Sequence, residues 1–270
     1  MALFDIFDEI SEKQATKTEL GDQRIFGAIV GVVAENYSEE MPGRLCVNIL
    51  TRDENANQLK WAKMAFPYIG EKYGSYFLPE KGDQVLLLCE DGNIEKPFVI
   101  GCIPKDKDKF LKASATAKNT IKQIKTRNGS RITFEDDDNE DGAKDNITVA
   151  TAQDMHQIVL DNEKKKISVA DSEKKCVVEM ETEKGRISIH ADETLEITVG
   201  DSITLTMNGK SGSVKLEAQK VQIEAGKKLE LTTDGNAKMS GKQMELEATS
   251  TLKGSSSGMV ILEGKPIKLG

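Results

Sequence analysis

Few residues in this sequence are equipped for chemistry, and the densest group is an acidic run. Asp137 to Gly142 satisfies the first half of a calcium loop, D-x-[DN]-x-[DN]-G, in which alternate oxygens converge on one cation. Asp137, Asn139 and Asp141 are the candidate cation ligands. The twelfth position is Thr148 rather than the bidentate glutamate, and no helix pair is expected around the run, so a solvated turn is the favoured reading. The chain has two histidines, His156 and His190. His190 lies in "RISIHADE", where alternation with Ile187 and Ile189 points it outward from a strand. There is no G-x-S-x-G elbow, no phosphate-binding glycine loop and no H-E-x-x-H helix. No catalytic residue, metal centre or cofactor is expected, and the chain is not read as an enzyme.

The four cysteines, Cys46, Cys89, Cys102 and Cys176, are far apart and form no C-x-x-C pair, so they are expected to be buried free thiols. A net charge of -8 supplies no basic footprint for phosphates, which excludes nucleic acid as an expected partner. Beyond Glu181, Lys and Arg alternate finely with Asp and Glu, the pattern of a solvated outer face. The start, "MALFDIFDEI", is acidic where a signal peptide is basic, and no run is long enough to span a membrane as a helix. Synthesis in the cytoplasm is therefore expected.

What remains to be positioned is not a site but a structure. All thirteen aromatic residues lie between Phe4 and Phe134, and Pro266 is the only proline after Pro104. This shift marks a boundary. Residues 1–23 form a tail in which Leu3, Phe7 and Ile10 fall at helical spacing, a possible short docking helix. From 24 to 104, five β-rich segments are separated by Pro-Gly, Lys-Gly-Asp and Asp-Gly-Asn turns, as in a small barrel or sandwich. A polar connector over 105–130, with room for a short helix, leads into a β-rich neck at 131–186. There two strands flank the acidic loop, and alternating pairs begin with Ile158 and Leu160.

From 187 to 270 the pairs become regular: Ile187 with Ile189, Leu195 with Ile197, Ile203 with Leu205, and Val214 with Leu216. Val221 with Ile223, Leu229 with Leu231, Met244 with Leu246, and Val260 with Leu262 continue the series, most starts falling eight residues or close to it apart. The pair expected near Met239 is degraded. Two buried aliphatic side chains contribute about 3–6 kcal/mol, less than the entropy of ordering an octad. A core only two residues wide calls for walls from three copies, each strand pairing with strands of the other chains so that no sheet edge is left free. The expected fold class is all-β, with a barrel followed by an intertwined trimeric triple-stranded β-helix, a needle with glycines such as Gly200, Gly212, Gly226, Gly235 and Gly258 at its corners, where a sharp turn with positive φ is easiest for glycine.

The segment from Ile25 to Ile103 resembles the OB-fold domain of contractile-injection spike proteins, the phage baseplate assembly protein V family and the VgrG proteins of type VI secretion. Trp61, Gly70, Gly74, Pro79, Gly82, Asp83, Val85, Asp91-Gly92-Asn93, Pro97 and Gly101 carry the likeness, and the octad tail is similar to the family's needle. The resemblance implies an OB barrel and a central spike that punctures a target envelope, assembled into the baseplate of a phage-tail-like particle and expelled on contraction. With only about 24 residues ahead of the barrel, the chain resembles the split form that lacks fused hub domains. A separate baseplate hub protein would then dock on Leu3, Phe7, Ile10 and Trp61. Some phage spikes end in an iron site on a His-x-His motif, absent here, so a PAAR-like tip protein is expected on Ile267, Leu269 and Gly270, with effector cargo as a further partner. The alternative reading is a trimeric β-helical tail fibre or adhesin binding a receptor.

Overall fold

A computed structural model of the chain describes Lys17 and residues 24–49, 58–139 and 141–268. Five strands build the first body: β1 (Ile29–Glu35), β2 (Arg44–Ile49), β3 (Gln58–Met64), β4 (Gln84–Cys89) and β5 (Pro97–Ile103). They close into a barrel in the order β1-β2-β3-β5-β4, with β4 returning to β1. Only the β3–β5 pairing is parallel. Alternation explains the wall, since Val85 and Leu87 of β4 turn inward between residues that do not. They meet Val33, Leu45, Val47, Ile49, Ala62, Ile94 and Val99 in one buried cluster. Gly31 lets β1 approach, because a Cβ there would fall 2.4 Å from Val47 and 2.8 Å from Leu87. At the β4–β5 turn, Asp91 and Gly92 are left-handed, and the Gly92 carbonyl accepts the Ile25 N–H at 2.9 Å, which seats the incoming chain on the barrel.

A short helix, α1 (Lys109–Ser114), follows the barrel. Next comes a seven-stranded antiparallel meander: β6 (Ile121–Lys125), β7 (Arg131–Glu135), β8 (Asn146–Ala150), β9 (His156–Asp161), β10 (Lys166–Asp171), β11 (Cys176–Glu181) and β12 (Arg186–Ala191). Each strand pairs with the next in sequence. This sheet is longer at both ends than the neck of the sequence reading. It takes Ile121–Lys125 from the connector, and it takes Ile187 and Ile189 from the octad series. The reason is register: Ile187 faces Met180 and Ile189 faces Val178 in a ten-residue hairpin rhythm that has not yet tightened to eight.

Three further strands, β13 (Thr194–Val199), β14 (Ile203–Asn208) and β15 (Ser213–Glu217), pair in that order. They carry Leu195, Ile197, Ile203, Leu205, Val214 and Leu216. From Ala218 to Lys268 no described residue joins a strand of its own chain. The backbone instead runs in straight legs that bend at Gln219, Gly226–Lys227, Asp234–Gly235, Lys242, Thr249–Ser250, Ser257–Gly258 and Lys265–Pro266, every seven or eight residues. Among the described residues, no helix is long and apolar enough to cross a membrane.

The thiols differ from expectation. Cys46 is buried, but Cys102 and Cys176 are exposed, because each sits where its strand presents it away from the barrel core or on an open sheet face. All four are free.

The barrel core makes a direct prediction. Leu87→Ala should cost about 2–5 kcal/mol of barrel stability, and Gly31→Val should destabilise by overpacking. Both are measured by urea unfolding through the fluorescence of Trp61, the one tryptophan. Midpoints equal to wild type would contradict this core.

Candidate functional site

The acidic loop between β7 and β8 is held together by its own backbone. Asp137 is buried, and its carboxylate accepts the backbone N–H groups of Asn139 and Lys144, each at 3.0 Å. The Asp145 carboxylate accepts the Asp137 N–H at 2.8 Å, and Asp141 accepts the Ala143 N–H at 2.9 Å. The Asn139 hydrogen bond is the chief reason the Asp137 carboxyl titrates below the ordinary carboxylate range, while burial acts in the opposite direction. Oxygens spent on backbone donors do not converge on a cation. Among the described residues no three His, Cys, Asp or Glu side chains form a metal-holding group. Asp137 also departs from the solvated turn of the sequence reading, since it is the loop's internal anchor.

His156 begins β9 and His190 lies in β12, so the two histidines stand on different strands. His190 is exposed, with Nε2 3.1 Å from the Asp192 carboxylate. Trp61 sits half-buried on β3 opposite Cys46, outside the central cluster. Leu3, Phe7 and Ile10 lie outside the described residues, as do Leu269 and Gly270, while Ile267 is exposed.

The chemistry that the structure does organise is apolar. Cross-strand register aligns the sheet's alternating residues into two continuous rows. One runs Phe134, Ile147, Leu160, Ile167, Met180, Ile187. The other runs Ile124, Ile132, Val149, Ile158, Val169, Val178, Ile189. Both rows lie on one face and are open in the single chain: Ile158 is 42% exposed and Val169 47%. The other face carries Thr133, Thr148, Ser168 and Glu179, with Lys166 paired to Glu179 at 2.6 Å. Sequence reasoning found these pairs only from Ile158 onward. The same i, i+2 signal is present in "RITFE" and "NITVA", the two strands read on either side of the acidic loop, whereas "IKQIK" places its isoleucines three apart and shows no alternation.

The tail repeats this arrangement leg by leg. Val221 with Ile223, Leu229 with Leu231, Met244 with Leu246 and Val260 with Leu262 each occupy one leg between bends, and all eight are exposed, up to 81% for Leu231. The leg missing from the sequence count is present between Asp234–Gly235 and Lys242, with Ala237 and Met239 as its pair. Short Ala237 is why the repeat looked degraded. The corner glycines need correction: Gly200 and Gly212 have positive φ, but Gly226, Gly235 and Gly258 do not, although all three sit at bends. Side chains assist there instead, since Thr233 Oγ1 and Ser256 Oγ accept the N–H groups of Gly235 and Gly258 at 3.1 Å.

A second exposed patch is aromatic. In the loop after β3, Phe66 stacks on Tyr76 with ring centroids 5.6 Å apart, and Tyr68 lies 5.2 Å from Tyr73. At Gly70 a Cβ would fall 2.5 Å from the exposed Tyr73 ring, so a larger residue there would displace that ring.

Comparison with known families matches residues 29–103, the whole barrel, to the type VI secretion system/phage-baseplate injector OB domain. A search among curated proteins finds no match. The five-stranded closed barrel and the all-β chain agree with that similarity, which supports a baseplate role and contacts with baseplate components.

The Asp137 loop is testable by protease. Asp137→Ala should expose the 138–145 loop to trypsin at Lys144, whereas the wild-type loop resists. Because the folded-state carboxyl is lowered, its contribution is present above the unfolded value and lost as pH falls through the folded one. Resistance should therefore decline in acid, read with an acid-active protease. Millimolar calcium should change neither result, and calcium-dependent protection would restore the cation reading.

Proposed function

We propose that this chain is the central spike of a contractile injection machine and that it works as a homotrimer. The observation that carries the reading is an ordered pairing: an injector-type barrel followed by a tail that bends every seven or eight residues with an apolar pair on most legs. In a single chain those legs leave backbone groups and aliphatic side chains without partners. Three copies wound about one axis supply both, as an intertwined triple-stranded β-helix. A rod with no free sheet edges transmits compressive force, so the role is mechanical and not catalytic.

In this reading the barrel seats the spike on a separate hub protein, with the Tyr68–Tyr76 aromatic patch and Trp61 as contact surface and the Leu3, Phe7 and Ile10 tail as a second attachment. That is the split form of a VgrG-like spike. The far end around Ile267, Leu269 and Gly270 accepts a PAAR-like tip, and the assembly acts on a target envelope.

Light scattering of the purified chain should give three times the 29.6 kDa chain mass, and the species should resist SDS until boiled. A monomer would contradict the wound tail. Removing Lys265 to Gly270 should abolish co-purification of a small cone-shaped partner while leaving the trimer intact. Retention of that partner would place the tip site elsewhere.

A further inference from the structure

The seven-stranded sheet poses a problem of its own. Its two apolar rows make a strip about 7 Å wide, from the i, i+2 spacing along a strand, and about 29 Å long, from six strand-to-strand steps. Inside the strip, every residue from β7 to β12 is apolar; at β6 the first row ends on Lys122, paired to Asp136 at 2.7 Å, and other ion-paired charges sit on the hairpin turns and the opposite face. A fully buried aliphatic side chain removes about 60–120 Å² of apolar surface from water. Thirteen half-exposed ones offer about 400–800 Å² per chain, the scale of one partner's share in a stable interface.

We infer that the occupant of this strip is the same strip of two further copies, and that the sheet is the clamp that sets the register in which three tails wind. This rests on the trimeric reading above and assigns a separate task to 121–191. Two features identify a second copy rather than another partner. The i, i+2 apolar pattern runs on in sequence from the sheet through Leu195 and Ile197 into the tail legs, so the same pairing of apolar residues recurs in both. The strip is also too narrow to pack flat against a broad sheet, but three identical narrow strips close around an axis with like residues at like heights.

The need for a clamp follows from the repeat. Successive legs present nearly equivalent aliphatic pairs, so a chain slipped by one octad keeps almost every apolar pair aligned and loses only one leg at each end. The tail alone specifies its register weakly. The meander specifies it strongly, because each strand pairs once within its own chain and the face carries a single aromatic residue, Phe134, at one end.

The test uses the full chain with the exposed thiols removed by Cys102→Ser and Cys176→Ser. Val169→Cys, on the strip, should give covalent dimers and trimers with a short bifunctional thiol reagent. Ser168→Cys, the adjacent residue on the opposite face, should not, and neither should the parent. Val169→Cys should still cross-link when the tail is disabled by Leu229→Lys with Leu231→Lys. Val169→Lys should cut the yield of homogeneous trimer at least tenfold, while Ser168→Lys stays within twofold of wild type. A trimer that cross-links through Ser168→Cys and not Val169→Cys would overturn the clamp and leave the spike reading standing. Loss of the Val169→Cys cross-link with the tail disabled would do the same. A monomeric parent would overturn both, and a monomer with an unreactive Val169→Cys thiol would mean that another segment of the same chain covers the face.

Discussion

The structure depends on where the backbone hydrogen bonds of the tail go. An extended leg satisfies none of its own N–H or C=O groups, and each one left unpaired away from water costs as much as a lost hydrogen bond. From Ala218 to Lys268 the legs bend at steady intervals, but no described residue there joins a strand of its own chain. Burial cannot make up the deficit, because most legs carry only two large apolar residues. A partner strand above and below each leg is the economical solution, and in the trimeric reading the other two copies provide it.

The barrel is the opposite case. Its buried cluster of nine hydrophobic residues and its closed ladder satisfy the chain locally, so it is built around its own core. The meander stands between these regimes. Its hydrogen bonds are met within one chain, but its apolar rows are not covered by that chain. Local satisfaction thus falls along the sequence, from core and ladder together, to ladder alone, to neither. That gradient is what a device needs if it is held firmly at one end and assembled from several chains at the other.

Much of this was legible in the sequence because period is a robust signal. Turn-bounded apolar runs located the strands of the barrel, alternating pairs located later strands of the sheet, and the octads located the legs, down to Val260 with Leu262. What the sequence obscured has physical causes. The strand Ile121–Lys125 sits in polar surroundings and announces itself by two isoleucines alone. The leg with Ala237 and Met239 was hidden because alanine does not register as a core residue. Ile187 and Ile189 fit either rhythm, and only cross-strand register assigns them to the sheet. The corner glycines were over-read: a glycine at a bend suggests positive φ, yet Gly226, Gly235 and Gly258 turn without it. The acidic run, read in the first place as a solvated turn, is a loop whose Asp137 carboxylate binds its own backbone, which no spacing of acids announces.

Hydrogen–deuterium exchange of the intact protein, followed by mass spectrometry on peptides spanning residues 220–265, tests the central claim most directly. Amides paired between chains should remain protected for hours, at a level comparable to the barrel strands. Exchange at the rate of an unstructured chain would mean that the legs have no partners, and the three-copy account would fail.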